Sequence, residues 1–340
     1  MPMYDAHARP PEHMRELFKL WRKRSALEVE ADQHIINPRE PDVNRVSALP
    51  GSEVLGQADM EILTTDFLDN AADIAATGAE DATLPPRIAF EVNGLPGLKV
   101  FPSLLPPRLQ VALLDRLLHR DLSNPVHKTN LNYHHHITYL RNAGTSSLSS
   151  FFAARLDNVI SPKDSSTHRP MTMAQMLGTK LRWVTLGGQY DWTNKIYPDN
   201  EPPPFPNDIA ALLKRLFPAV DAQAAIVNFY SPGDTLSVHR DVSEASDNGL
   251  ISISFGCDCI FLVGGDDKAD AIAIRLRSGD AILMSGESRY AWHGVPKILP
   301  DTCPPWLQDW PDTGHDGLYQ QWRGWMSKKR INLNVRQITE

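Results

Sequence analysis

The sequence predicts an α+β protein. Its C-terminal half should form antiparallel sheets of the jelly-roll or barrel kind, preceded by a helical, loop-rich N-terminal part. Two observations point there. From about residue 181 the chain divides into short β-rich runs such as "AAIVNFY", "GLISISFG", "CIFLVGG" and "RINLNVRQI", separated by Gly, Asp and Ser turns. Upstream of that point the clearest periodicity is helical.

Residues 11–32 are expected to form one amphipathic helix with Leu17, Leu20 and Trp21 as its apolar stripe. Residues 33–90 are mixed, with loops at "NPREPDVNR" and "ATGAEDATLPP". The turn-rich "GLPGLKVFPSLLPP" (94–107) leads into a helix over about 108–121. A 1–105 extension and a 106–340 main domain are therefore expected, with the β-rich core at about 181–338. Within that core "LRWVTLGGQYDW" and "AAIVNFY" read as strands around a Pro-rich loop and the capped helix "NDIAALLKRLF".

The chain has 340 residues, of which 42% are hydrophobic and 22% charged, so it can bury a sizeable core. No apolar run approaches the roughly 20 residues of a membrane-spanning helix. Acidic Asp5, Glu12 and Glu16 with no apolar stretch argue against a secretory signal, so an intracellular protein is expected. Three cysteines are too few for a disulfide framework. The net charge of −7 argues against broad electrostatic coating of nucleic acid but leaves room for a local basic groove.

The segment "DTLSVHRDVSE" carries the chemistry. On a strand, residues two apart share a face, so His239 and Asp241 project together while Val238 and Arg240 face away. His293, after the turn "MSGES", is the best third ligand. Two histidines and one carboxylate can take one face of an iron(II) ion and leave positions open. In "RINLNVRQ", Arg330, Asn332, Asn334 and Arg336 lie on one face, which is costly unless a polar ligand meets them. A dicarboxylate suits the guanidinium fork, and Asn228 and Tyr230 share a face just before the metal strand.

These segments, "NFYSPGDTLSVHRD", "LISISFG", "IFLVGG", "SGDAILMSGESR", "HGVPKILP" and "RINLNVRQI", resemble the AlkB family of iron(II)- and 2-oxoglutarate-dependent dioxygenases over roughly 181–338. The eukaryotic AlkB homologue one subgroup is the nearest in pattern. The resemblance implies a double-stranded β-helix with extra helices and a nucleotide-recognition lid. It implies Fe(II) on His239, Asp241 and His293, and 2-oxoglutarate against Asn228, Tyr230, Arg330, Asn332 and Arg336, with O2 as the second cosubstrate. It also implies oxidative demethylation of N-methylated bases in tRNA or unpaired DNA, by a monomer. Alternatives on the same fold are an abasic-site lyase and a protein hydroxylase. The chain departs from the family at Asn334, where threonine is common. It departs again at Ser243, where bacterial members carry an acidic residue that helps hold the base; Glu244 stands adjacent. Ser243 and Glu244 thus join Tyr190, Trp192 and Tyr197 as candidate substrate contacts. The aromatics either stack on the base or belong to the barrel core. The insertion 295–328 is expected to be a lid or a solvent-facing loop. "HHH" (134–136) reads as a polar loop, and Arg289 as a turn-stabilising residue.

Overall fold

The computed structural model describes residues 4–51, 54–69, 88–141, 148–198, 200–267, 271–312 and 317–340. The loop expected at 76–86 lies outside the described residues. Two sheets make the framework. The larger runs in the order β2 (Val46–Ala48), β3 (Phe90–Val92), β4 (Leu98–Phe101), β13 (Ala281–Met284), β10 (Leu250–Gly256), β15 (Arg330–Arg336), β8 (Ala224–Tyr230) and β7 (Trp183–Gly187). The smaller runs β1 (Ile35–Ile36), β12 (Ile272–Leu276), β11 (Cys259–Gly264), β14 (Trp292–Ile298) and β9 (Leu236–His239). A separate pair joins β5 (Val159–Ile160) to β6 (Met171–Thr172). All pairings are antiparallel except that of β1 with β12.

Period two organises β15. Ile331, Leu333 and Val335 join the main apolar cluster with Leu109, Leu113 and Leu213. The opposite face therefore carries Arg330, Asn332, Asn334 and Arg336. The helix Pro107–Asp115 starts with proline at its first turn, where a missing N–H costs nothing, and continues as a wider turn over Arg116–Asp121.

Three expectations need correction. Residues 11–32 form two helices, Glu12–Lys23 and Ala26–Glu30, because Ser25 caps the second through a capping box with Glu28. The buried stripe is Met14 and Trp21 with half-buried Leu17 and Phe18, packed on Val238, Leu262 and Trp292 of the small sheet; Leu20 is exposed. The region before residue 106 is also woven into both sheets rather than appended: β4, inside the stretch expected to be turns, pairs with β13. Finally, the insertion after β14 is neither a lid nor a solvent-facing loop. It buries Leu307, Trp310, Trp322, Trp325 and Met326, and the three Trp rings pack around Phe152.

Candidate active site

His239 and His293 are direct cross-strand partners on β9 and β14, with ring centroids 4.4 Å apart. Gly294 permits this approach: a Cβ there would lie 2.9 Å from the Leu236 carbonyl oxygen. Asp241 follows just beyond the end of β9. Its Oδ1 is 3.7 Å from His239 Nε2 and its Oδ2 is 3.8 Å from His293 Nε2. The three ligand atoms lie within 4.8 Å of one another, and this is the one such cluster found among the described residues. Val238 points the other way, and Arg240 lies over Trp292, as the alternation predicts.

The surroundings prepare these groups to bind a cation. Each imidazole Nδ1 meets a backbone carbonyl, Ser237 O at 2.9 Å and Ala291 O at 3.1 Å, which leaves the Nε2 lone pair facing the cluster. Burial, and then His239, push His293 down to about 4, so it is a neutral ligand near pH 7. Burial alone would raise the Asp241 carboxyl. The Arg336 guanidinium and the two imidazoles outweigh it and hold the group well below the usual range. The set is the two-histidine, one-carboxylate arrangement that suits ferrous iron with open positions.

Arg330, on β15 of the larger sheet and opposite Tyr230 of β8, is 1% exposed. Its Nη2 donates to Ser254 Oγ at 3.1 Å, while Nε and Nη1 are buried without hydrogen-bond partners among the described residues. A buried guanidinium with two unpaired nitrogens fits a ligand carboxylate. The Tyr230 ring lies 5.2 Å from the guanidinium carbon, and burial pushes its hydroxyl up to about 12, so it stays a neutral donor. Asn332 faces Asn228 in the ladder and is tied to Ser252 Oγ and the Ile253 carbonyl. The amide of Asn228 stands 3.5 Å from Asn332 Oδ1.

The two arginines of β15 differ. Arg336 donates to Asp241 Oδ2 at 2.8 Å and to the Tyr197 hydroxyl at 3.3 Å, and its Nε is 3.0 Å from Glu244 Oε1. Its guanidinium is thus engaged with the protein and acts by holding the metal carboxylate. Glu244 requires a correction as a substrate contact. Its side chain is 2% exposed, with one oxygen near Arg336 and the other accepting from Arg289. Arg289 also donates to the Asp241 and Asn248 carbonyls, so it fixes the metal loop from beneath.

Ser243, Tyr190 and Tyr197 are brought to the triad. The Ser243 hydroxyl donates to the Lys195 carbonyl at 2.7 Å and lies 3.3 Å from the Tyr190 hydroxyl. Trp192 is 40% exposed and stands at the outer edge of these rings, which removes it from the core. Gly187 makes the turn from β7 into this segment: its φ is +63°, and a Cβ would lie 2.2 Å from the Gln223 carbonyl oxygen. Sequence reasoning missed Trp183. It faces Asn228 in the ladder, on the site side of β7, and its ring is 5.0 Å from that of Trp192. The alternation Trp183, Thr185 in "RWVTL" was the available signal. The "HHH" residues join no metal cluster among the described residues; His135 is buried against the Arg169 carbonyl. The cysteines are free and buried.

The family model of the 2OG-Fe(II) oxygenase superfamily matches residues 97–336. The chain is 43% identical to N6-methyladenosine RNA demethylase ALKB1 of Pyricularia oryzae, over 99% of this chain and 98% of that one. It is 49% identical to N6-methyladenosine RNA demethylase ALKBH of Cryphonectria parasitica, over 62% of this chain and all of the relative. It is 39% identical to tRNA demethylase abh1 of Schizosaccharomyces pombe, over 75% and 83%. With the triad, the unpaired Arg330 and these matches together, the chain belongs to the iron(II)- and 2-oxoglutarate-dependent oxygenase superfamily.

Proposed function

We propose that this oxygenase removes methyl groups from the nitrogens of unpaired adenines in RNA. The observation that carries the reading is the half-exposed aromatic wall beside the triad: Tyr190 and Tyr197 are tied to the metal loop through Ser243 and Arg336, and Trp192 and Trp183 continue the wall outward. Flat rings next to an oxidising centre suit a flat base that has left its stack. Relatives covered almost end to end and named for N6-methyladenosine in RNA support the choice of polymer and base.

His239, Asp241 and His293 would hold the iron, and Arg330 with Tyr230 would take the far carboxylate of 2-oxoglutarate. Bound together with dioxygen, they supply the oxidation of an N-methyl group to a hydroxymethyl group, which departs as formaldehyde while 2-oxoglutarate becomes succinate and carbon dioxide. The protein's share is placement. Arg336 and Arg289 fix the Asp241 loop, and the buried ladder of β8, β15 and β10 keeps Arg330 aimed between the sheets. The aromatic wall holds the base with its methyl group toward the triad.

The test is formaldehyde and succinate release from N6-methyladenine RNA, tRNA bearing 1-methyladenine and N6-methyladenine DNA, with iron or 2-oxoglutarate omitted in turn. The reading expects stoichiometric products that need both, with RNA preferred over DNA. Strand cleavage at abasic sites that survives iron removal, with no formaldehyde from any substrate, would replace it with the lyase.

A further inference from the structure

The rings beside the triad do not stop at Trp183. From Tyr197 the centroids step 5.3 Å to Tyr190, 4.9 Å to Trp192 and 5.0 Å to Trp183. They then step 6.1 Å to Tyr133, 6.4 Å to His134 and 4.3 Å to His168. The outer part is built by a different piece of chain, the short turn Asn130–Tyr133. Asn130 fastens that turn to the start of β7 by accepting from the Arg182 backbone and donating to the Lys180 carbonyl. Tyr133 is 51% exposed although it sits in an ordered, capped turn. An exposed ring in a fixed backbone is a preformed stacking surface.

The same surface concentrates positive charge in a chain of net charge −7. Lys128 flanks β7, where its carbonyl accepts from Thr185. Lys163 is fastened beside Tyr133 through the Asn132 carbonyl, and Arg169 follows His168. Of the nearby acids, Asp234 pairs with Arg182; Asp164, beside His168, accepts from Ser166 and Thr167, and Asp191, near Tyr133, caps its own turn, so two carboxylates stand among these cations. The side chains of Lys128, Arg169 and Lys180 have no acidic partner among the described residues and stand in solvent.

We infer that Tyr133, His134 and His168, with the cations around them, form a track for the unpaired nucleotides that flank the modified base. The inference rests on the nucleic-acid reading above and extends it from one base to a strand. Rings in series take successive bases without reading them, and flanking ammonium and guanidinium groups follow the phosphates. Continuity with the site and complementary charge together favour a nucleic-acid strand over an acidic protein segment.

The experiment compares two RNAs with the same central N6-methyladenine, a trinucleotide and an unpaired oligonucleotide of about 15 nucleotides. The variants are Tyr133→Ala and the double change Arg169→Glu with Lys180→Glu, and the comparator is poly-glutamate. Wild type should bind the longer RNA more tightly. Tyr133→Ala should weaken that binding about tenfold, the low end for one stacked base, and leave trinucleotide binding and turnover unchanged. The charge reversal should reduce the salt dependence for the longer RNA alone. Equal losses on both lengths, no loss on either, or poly-glutamate binding that falls as much as RNA binding in Tyr133→Ala would each overturn the track. Turnover of the trinucleotide without any length effect would sink the track and leave the demethylase reading standing. Absence of turnover on both RNAs would sink both.

Discussion

His239 and His293 each present Nε2 because Nδ1 is held by a backbone carbonyl two residues earlier, and Asp241 is held ionised by Arg336. Loss of one ligand should leave that scaffold standing. His239→Ala, Asp241→Ala and His293→Ala are each expected to abolish iron binding and turnover while circular dichroism still reports a folded chain. Metal analysis of the purified variants checks this, and full turnover by any of them would remove that residue from the triad. Arg330 gives a separate prediction, because its unpaired nitrogens are what a carboxylate would meet. Arg330→Ala withdraws one partner of a desolvated pair, about 3–5 kcal/mol. The apparent KM for 2-oxoglutarate should therefore rise by roughly a hundredfold or more, with iron affinity kept. An unchanged KM would place the anchor elsewhere. The candidate ligands and this candidate anchor stand out in the sequence because Arg330 and Asn332 are two apart on a strand and Asp241 is two residues after His239, just past the strand end. Glu244 was misread because its role is set by Arg289, a contact between distant segments that no local pattern announces.

Among elements, the segment from Gly187 to Tyr197 carries the rings proposed to meet substrate. It leaves the sheet at a left-handed glycine and is fastened again at Ser243 and Arg336, so its rings are placed by few contacts. Trp192→Ala should weaken binding of a methylated oligonucleotide about ten- to a hundredfold, given about 1–3 kcal/mol per stacked base. Turnover of 2-oxoglutarate without substrate and the Tm should hardly change, since Trp192 is 40% exposed. A fall in Tm with unchanged affinity per folded molecule would return this ring to the core. The element that sequence misjudged most is the chain after β14. "PPWLQDWPD" reads as a loop because its prolines and acids break any period, yet 3-10 turns let Leu307 and Trp310 point into the same cluster. Irregular backbone can bury large rings as well as a helix can, but it leaves no repeating signature.

Over the whole molecule, the jelly-roll order was legible because each core strand carries its own alternation and turn residues. The contribution of β1 to β4 was not, since strands of two to four residues are too short to show a period, and their pairing with β12 and β13 spans most of the chain. The same long-range packing sets a stability switch far along the chain from the triad. Asp115, 1% exposed at the end of the helix Pro107–Asp115, accepts a 2.7 Å hydrogen bond from Trp310 Nε1. Burial raises its carboxyl to about 7, against the opposing effects of Trp310 and Arg116. A carboxyl raised in the folded state stabilises the fold fully below its unfolded value of 3.8, and that contribution is lost as pH climbs through about 7. The shift corresponds to at most about 4 kcal/mol, at 1.36 kcal/mol for each unit. Asp115→Asn keeps an acceptor for the indole N–H and removes the ionisation. Urea unfolding of both proteins between pH 4 and 8 reads this group together with His119, whose Nε2 lies 3.8 Å from Asp115 Oδ1. The variant should gain on wild type steadily from about pH 4 to about pH 7 and then hold a constant advantage. A stability difference that does not vary with pH would mean that Asp115 is ionised throughout and that Arg116 and the indole outweigh its burial.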